Sequence, residues 1–323
     1  PTLQLANHHG LMIAGEAALS NWDAGMDMYI YGKLGNLIMT KEGINVLMTN
    51  LTGKVPPILQ RLDYIRFNGE AAGYLHDLTL TGLFHTGAGM VKTDVMMSID
   101  EQSMSRTYSG SVASADLDLG KLLNQEKKFG KVDFNVELKG FNYKNRYPES
   151  YIKGIISSFE YSQYQYENIM LDGVYKDGGF NGRLSMDDAN GSVQIDGNFN
   201  VAKTIPDFNL KASVKNLRPH DLHLSDKYEN ASISLGLTAD FTGKSIDDMN
   251  GRISLDSLQL NAPDEGGCFL DNLTITAGQV SGEKELRINS SFMTAVIRGD
   301  YSYHTIPASV VKTVQRYIPS LLT

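Results

Sequence analysis

Residues 131–140 read KVDFNVELKG. Val132, Phe134, Val136 and Leu138 alternate with Asp133, Asn135 and Glu137, a repeat of two. Successive side chains of an extended strand point to opposite faces, so this stretch has one apolar and one polar face. That is the pattern of an antiparallel sheet wetted on one side. The repeat returns three times. Val193, Ile195, Gly197, Phe199 and Val201 alternate with Gln194, Asp196, Asn198 and Asn200. Phe208, Leu210, Ala212 and Val214 follow the same rule, as do Ile233, Leu235, Leu237, Ala239 and Phe241.

Extended along the chain, the pattern predicts strands over 10–19, 26–33, 34–40, 43–50, 72–86, 89–99, 106–117, 131–140, 151–161, 164–176, 179–187, 191–201, 207–217, 231–242, 251–261, 268–277, 284–290 and 292–303. Asn181-Gly182, Asn190-Gly191 and Asn250-Gly251 supply turn chemistry, and Asp196-Gly197, inside an alternating run, predicts a bulge. Short amphipathic helices are predicted near 55–65 and 306–322, each opening on an aliphatic residue and Pro, and over 118–124, opened by Asp118. These helices suit the capping of a sheet edge or end. No linker stands out. Residues 1–323 read as one continuous unit, with 1–125 and 126–323 as the alternative division.

The 323 residues carry 29 Lys+Arg against 37 Asp+Glu, a net charge of −8. That balance disfavours nucleic acid as a partner, since phosphate binding needs a basic surface. Hydrophobic residues make up 41%, enough for a core. The single Cys268 excludes a disulfide framework and any multi-Cys metal site. No apolar run approaches the roughly 20 residues of a membrane-spanning helix. The chain is expected to be a stretch of a longer protein, with any anchor or export signal outside it.

A search for chemistry yields no catalytic constellation. His8 and His9 are adjacent and would face opposite ways in a strand. His220, Asp221 and His223 follow Pro219 in a predicted loop, where solvation explains them better than a metal. Asp187-Asp188, Asp247-Asp248 and the Asp116, Asp118 pair lack the ligand series of a calcium loop. Gly87-Ala88-Gly89 lacks phosphate-loop spacing, and no Gly-x-Ser-x-Gly elbow occurs. Tyrosines cluster over 143–175 and read as cross-strand or rim residues. The expectation is a non-enzyme without cofactor or metal.

An apolar face this long needs a partner. Fifteen or more such strands at ~4.8 Å would make an open sheet at least roughly 70 Å across, and the sequence offers few long helices to cover it. A curled sheet whose apolar face lines a trough satisfies the pattern. Acyl chains are its natural occupant, because each buried CH₂ contributes ~0.8 kcal/mol without directional demands. The predicted lining is Val132, Phe134, Val136, Leu138, Val193, Ile195, Phe199, Phe208, Leu210, Val214, Ile233, Leu235, Leu237 and Phe241.

Three stretches carry a family resemblance: 110–139 (GSVASADLDLGKLLNQEKKFGKVDFNVELK), 154–187 with its strand, Gly-turn, strand unit, and 299–322 (GDYSYHTIPASVVKTVQRYIPSLL). They resemble the AsmA-like superfamily, most closely TamB proteins of the Bacteroidetes type. The resemblance implies an all-β, elongated, curled antiparallel sheet, the β-taco trough. It also implies a periplasmic lipid-transfer role, carrying phospholipid between inner and outer membranes and supporting outer-membrane assembly. Inner-membrane anchoring and docking to an outer-membrane barrel partner would fall to regions outside this chain. The alternative is a scaffold or chaperone surface for β-barrel precursors, without lipid transfer. No catalytic residue is implied.

Overall fold

The computed structural model describes residues 2–6, 10–21, 23–100, 102–103, 105–142, 149–226, 229–263, 266–300 and 302. Among these the chain is all-β: eighteen strands of one antiparallel sheet, with three short α-helices. The all-β antiparallel sheet with few helices is as the alternation predicts.

The residues divide into two units. The first comprises those within Pro1–Asp177, Gly182–Ala189 and Leu222–Leu224, and the second holds the rest. In the first, strands pair with their neighbours in chain order: β1 (Thr2–Ala6), β2 (Leu11–Ser20), β3 (Tyr29–Thr40), β4 (Tyr64–Tyr74), β5 (Asp77–Thr86), β6 (Gly89–Asp100), β7 (Ser105–Asp118), β8 (Phe129–Asn142), β9 (Glu149–Tyr161) and β10 (Tyr164–Lys176). β11 (Gly179–Asp188) contributes residues to both units. In the second, the same meander joins β12 (Gly191–Asn200), β13 (Asp207–Leu217), β14 (Ser232–Thr242), β15 (Asn250–Asn261), β16 (Cys268–Val280), β17 (Glu283–Ser290) and β18 (Thr294–Arg298).

Two-residue turns close several hairpins. Ser281 and Gly282 sit at φ 55° and 86°, and Ser162 and Gln163 at 49° and 66°. Positive φ at both turn residues matches the right-handed twist of the flanking strands. Three bulges recur in one form, each with a polar residue in the left-handed region: Asp116 in β7, Asn216 in β13 and Ser257 in β15. The extra residue shifts the pleat by one. It thereby returns Leu117 to the face of Val132, and Leu217 to the face of Ile233.

Several local expectations are corrected. Residues 43–50 belong to α1 (Lys41–Thr52), not to a strand. Thr40 caps it, its Oγ1 accepting from Gly43 N at 3.3 Å, and Gly53 ends it at φ 73°. In the segment predicted helical over 55–65, only α2 (Pro57–Gln60) is helical, and Tyr64 opens β4. Residues 26–40 supply one strand rather than two, whereas 72–86 contains the end of β4, a turn at Leu75-His76 and β5. The helix opened by Asp118 forms as α3 (Leu119–Leu123), with Asp118 Oδ1 accepting from Lys121 N at 2.8 Å. Toward β13 the expected bulge at Asp196-Gly197 is not formed, since Gly197 pairs regularly with Leu210. Asn181-Gly182 lies inside β11, not in a turn. The predicted helix over 306–322 lies outside the described residues.

Candidate functional site

Antiparallel register carries the alternation of each strand onto its neighbours, so residues of one face line up in rows running across the strands. In the first unit, five successive rows make the apolar face. The first holds Ile65, Leu117, Val132, Phe159 and Tyr166. The second runs Leu37, Phe67, Phe84, Val91, Ser114, Phe134, Ile156, Ile169. The third runs Leu34, Gly69, Gly82, Thr93, Val112, Val136, Gly154, Leu171, and the fourth Gly32, Ala71, Leu80, Val95, Gly110, Leu138, Ile152, Gly173. The fifth holds Ile30, Gly73, Leu78, Met97, Tyr108, Gly140, Ser150 and Tyr175. The four predicted lining residues of this unit, Val132, Phe134, Val136 and Leu138, occupy four consecutive rows.

In the second unit, register brings the remaining predicted residues together. Phe199, Phe208 and Phe241 share a row, and the rings of Phe208 and Phe241 stack at 4.7 Å. Val193, Val214 and Leu235 share another, Ile195 joins Leu237 through Ala212, and Ile233 lies beside Leu217. Leu210 sits between Gly197 and Ala239.

The rows continue onto predicted strands from which the predicted lining took no residue. Ile253, Ile275 and Ile288 extend the row of Leu210, while Ala277 and Leu286 extend that of Phe241. These strands did alternate, but shorter apolar stretches broken by Ser, Thr and Asn weakened the signal. β7 is harder still. Its apolar-face run Tyr108, Gly110, Val112, Ser114 holds one aliphatic side chain.

Burial differs along the face. Val132 is 4% exposed, twelve of the other thirteen predicted residues are half-buried, and Phe199 is exposed at 38%. Among the large described side chains only Ile44, Leu222 and Leu286 are almost completely enclosed. A sheet covered by a second layer would enclose far more of its alternating residues.

The enclosed end of the first unit lies beneath a hood of α1, α2 and α3. Ile44, Leu62 and Leu122 pack there against Ile65, Ala88, Leu117 and Val132. Lys121 ties the hood down: its Nζ donates to Asp63 Oδ2 at 2.6 Å and to Gly87 O at 3.0 Å. Arg61 donates to the carbonyl of Leu122, and Lys41 N to Asp63 O at 2.8 Å. The Lys121 ammonium, by hydrogen bond and charge, holds the Asp63 carboxyl below its ordinary pKa. The same end carries an aromatic ladder of Phe129, Phe159, Tyr161, Tyr164 and Tyr166. The buried Tyr166 hydroxyl donates to Leu222 O at 2.8 Å, and burial raises its pKa.

The polar face is laced by cross-strand charge. Lys131 Nζ meets Asp116 Oδ1 at 2.9 Å, and Asp116 raises the lysine's pKa. Lys176 meets Glu149 at 2.8 Å. In the second unit Glu285 receives Arg298 at 2.7 Å and Arg287 at 3.0 Å, which lower its pKa. This face also has apolar members that alternation did not predict. Met96, Phe141 and Tyr151 wall a trench of about 480 Å³. Adjacent apolar pairs such as Tyr151-Ile152 and Ile155-Ile156 were the available signal.

The acidic pairs serve local structure. Asp188 accepts from Tyr164 Oη at 2.5 Å and from Glu167 N at 3.1 Å. His223 Nδ1 lies 2.9 Å from Ser162 O, and His220 lies 3.7 Å from Asp221. His8 and His9 lie outside the described residues. Among the described residues no group of three or more His, Cys, Asp or Glu side chains could hold a metal ion. No helix among them is long and apolar enough to cross a membrane. No known protein family, no curated protein and no solved structure matches the chain.

Proposed function

We propose that the chain is a non-enzymatic lipid-transfer element whose apolar sheet face carries phospholipid acyl chains. The observation that supports this most is the run of contiguous apolar rows left half-buried across β4–β10 and again across β12–β18. An exposed apolar patch beyond a few hundred Å² marks a binding surface. Methylene chains fit a wall of aliphatic and phenylalanine side chains because their burial needs no directional partner.

The resemblance to TamB-type AsmA-like proteins supports the rest of the proposal. In it the chain works in the periplasm, as part of an inner-membrane-anchored protein that spans the envelope. It carries phospholipid between the two membranes. An outer-membrane barrel partner and the membrane anchor belong to regions outside these residues.

Native mass spectrometry of the purified chain tests the reading. Co-purified phospholipid is expected, and Leu210→Asp or Leu235→Asp should reduce it while the β-sheet circular dichroism spectrum persists. A chain free of lipid that also binds none from vesicles would refute it.

A further inference from the structure

The polar face of the first unit carries a trench that the lipid-carrying reading leaves unused. Register sets Met96, Ser109, Lys139, Tyr151 and Val174 in one row across β6–β10, and Ser98, Thr107, Phe141 and Glu149 in the next. These residues line the hollow of about 480 Å³. That is within the ~300–1,000 Å³ of small-ligand pockets. A second hollow of about 540 Å³ shares Met96, Ser109, Lys139 and Tyr151 with it and runs on to Asp94 and Glu137. The two form one trench, which suits an extended ligand. Its depth comes from β7, whose outward Thr107, Ser109 and Ser111 are shorter than the side chains of β6 and β8 beside them.

Two kinds of wall face this trench. Met96, Phe141 and Tyr151 are large, apolar and exposed. The Tyr151 hydroxyl donates to Asp172 Oδ1 at 2.9 Å, and Lys153 meets the same carboxylate at 3.7 Å. The ring is thereby steadied in advance, which lowers the ordering cost of binding. Thr107, Ser109 and Lys139 supply the polar wall. Among the described residues their side chains make no hydrogen bond or ion pair, so their donors and acceptors are open to a ligand.

Aromatic rings beside uncommitted hydroxyl and ammonium groups match a saccharide. The C–H faces of a sugar ring stack on the electron-rich face of an aromatic ring, while its hydroxyls exchange hydrogen bonds at the edges. A purely apolar ligand would dehydrate the polar wall and give it no new partner, which is costly. Charge narrows the class. Asp94, Glu137 and Glu149 outnumber Lys139 along the trench, so phosphorylated or uronic sugars are repelled.

We propose that this trench binds a neutral oligosaccharide, its rings against Phe141 and Tyr151 and its hydroxyls bonded to Thr107, Ser109 and Lys139. The site lies on the face opposite the apolar rows and stands independently of the lipid-carrying reading.

Isothermal titration calorimetry of the full chain with cellohexaose, chitohexaose and maltohexaose tests the site. At least one should bind, and polygalacturonate should not. Tyr151→Ala and Lys139→Met should each weaken that binding about tenfold, the size of one aromatic or charged hydrogen-bonding contact. Lys131→Met makes the same change of charge on this face outside the trench and should leave the affinity as it was. Should Tyr151→Ala fail to fold by circular dichroism, Thr107→Val takes its place beside Lys139→Met. Binding of none of the three hexaoses at millimolar concentration would overturn the proposal. So would equal binding of polygalacturonate, or wild-type affinity in the trench variants. None of these results bears on lipid carriage.

Discussion

Lys121 on α3 reaches Asp63 on the segment before β4, Nζ to Oδ2, at 2.6 Å. This contact joins two parts of the hood that are 58 residues apart in sequence. The carboxyl is exposed, so its pH dependence is more informative than its strength. Its folded-state pKa is lowered by Lys121. Its contribution is therefore fully present above the ordinary Asp value of ~3.9 and is lost as pH falls through the lowered folded value. Asp63→Asn should loosen the hood at neutral pH and remove this part of the acid sensitivity. Acid titrations of the two proteins, followed by circular dichroism, check it; identical acid profiles would contradict the assignment.

Core and open rows should respond differently to truncation. Ile44 is almost fully enclosed, so Ile44→Ala should cost ~2–5 kcal/mol. Leu210 is only half-buried, and Leu210→Ala should cost clearly less, ~1 kcal/mol, as only part of its area leaves water on folding. Urea unfolding of the two variants decides. Equal losses would mean that Leu210 sits in a closed core.

The strands with strict alternation were legible because only a two-faced sheet explains Val132 to Leu138 or Phe208 to Val214. The faces followed from the same repeat, and register then placed Phe199, Phe208 and Phe241 together. The hood was largely illegible. Gly43, Asn45 and Val46 are weak helix formers, so α1 read as a strand despite the Thr40 cap and Gly53 stop. The turn at Leu75-His76 lacks Gly, Pro and Asn, which merged two strands into one. The bulges at Asp116, Asn216 and Ser257 depend on a cross-strand count that no single strand displays. The apolar patches on the polar face were hidden for a related reason: Ile155 and Met170 become neighbours only through pairing.

Two glycines hold positions that a side chain would disrupt. Gly110 lies at φ 143° and Gly197 at φ 146°, each with the space for a Cβ already taken by a carbonyl of the next strand, Asp94 O and Asn209 O respectively. Gly110→Ala and Gly197→Ala should each destabilise by ~1–3 kcal/mol through backbone strain. Gly266, at φ 93° with open space around it, should suffer less from the same change. Thermal unfolding of the three variants provides the comparison.

Tyr166 secures the Leu222 carbonyl from inside the first unit. Tyr166→Phe keeps the ring and leaves a buried acceptor unpaired, which should cost ~1–3 kcal/mol. Faster hydrogen exchange around Leu222 at unchanged exchange in β4 and β5 is the expected signature. Unchanged exchange at both would show that the bond contributes nothing.

Photo-crosslinking with a phospholipid bearing a diazirine in its acyl chain tests the central claim most directly. Peptide mapping should find label on apolar-row residues such as Val136, Leu138, Leu210 and Leu235, and little on their outward neighbours Glu137 and Lys211. Label confined to the outward face, or spread evenly over both faces, would contradict the account.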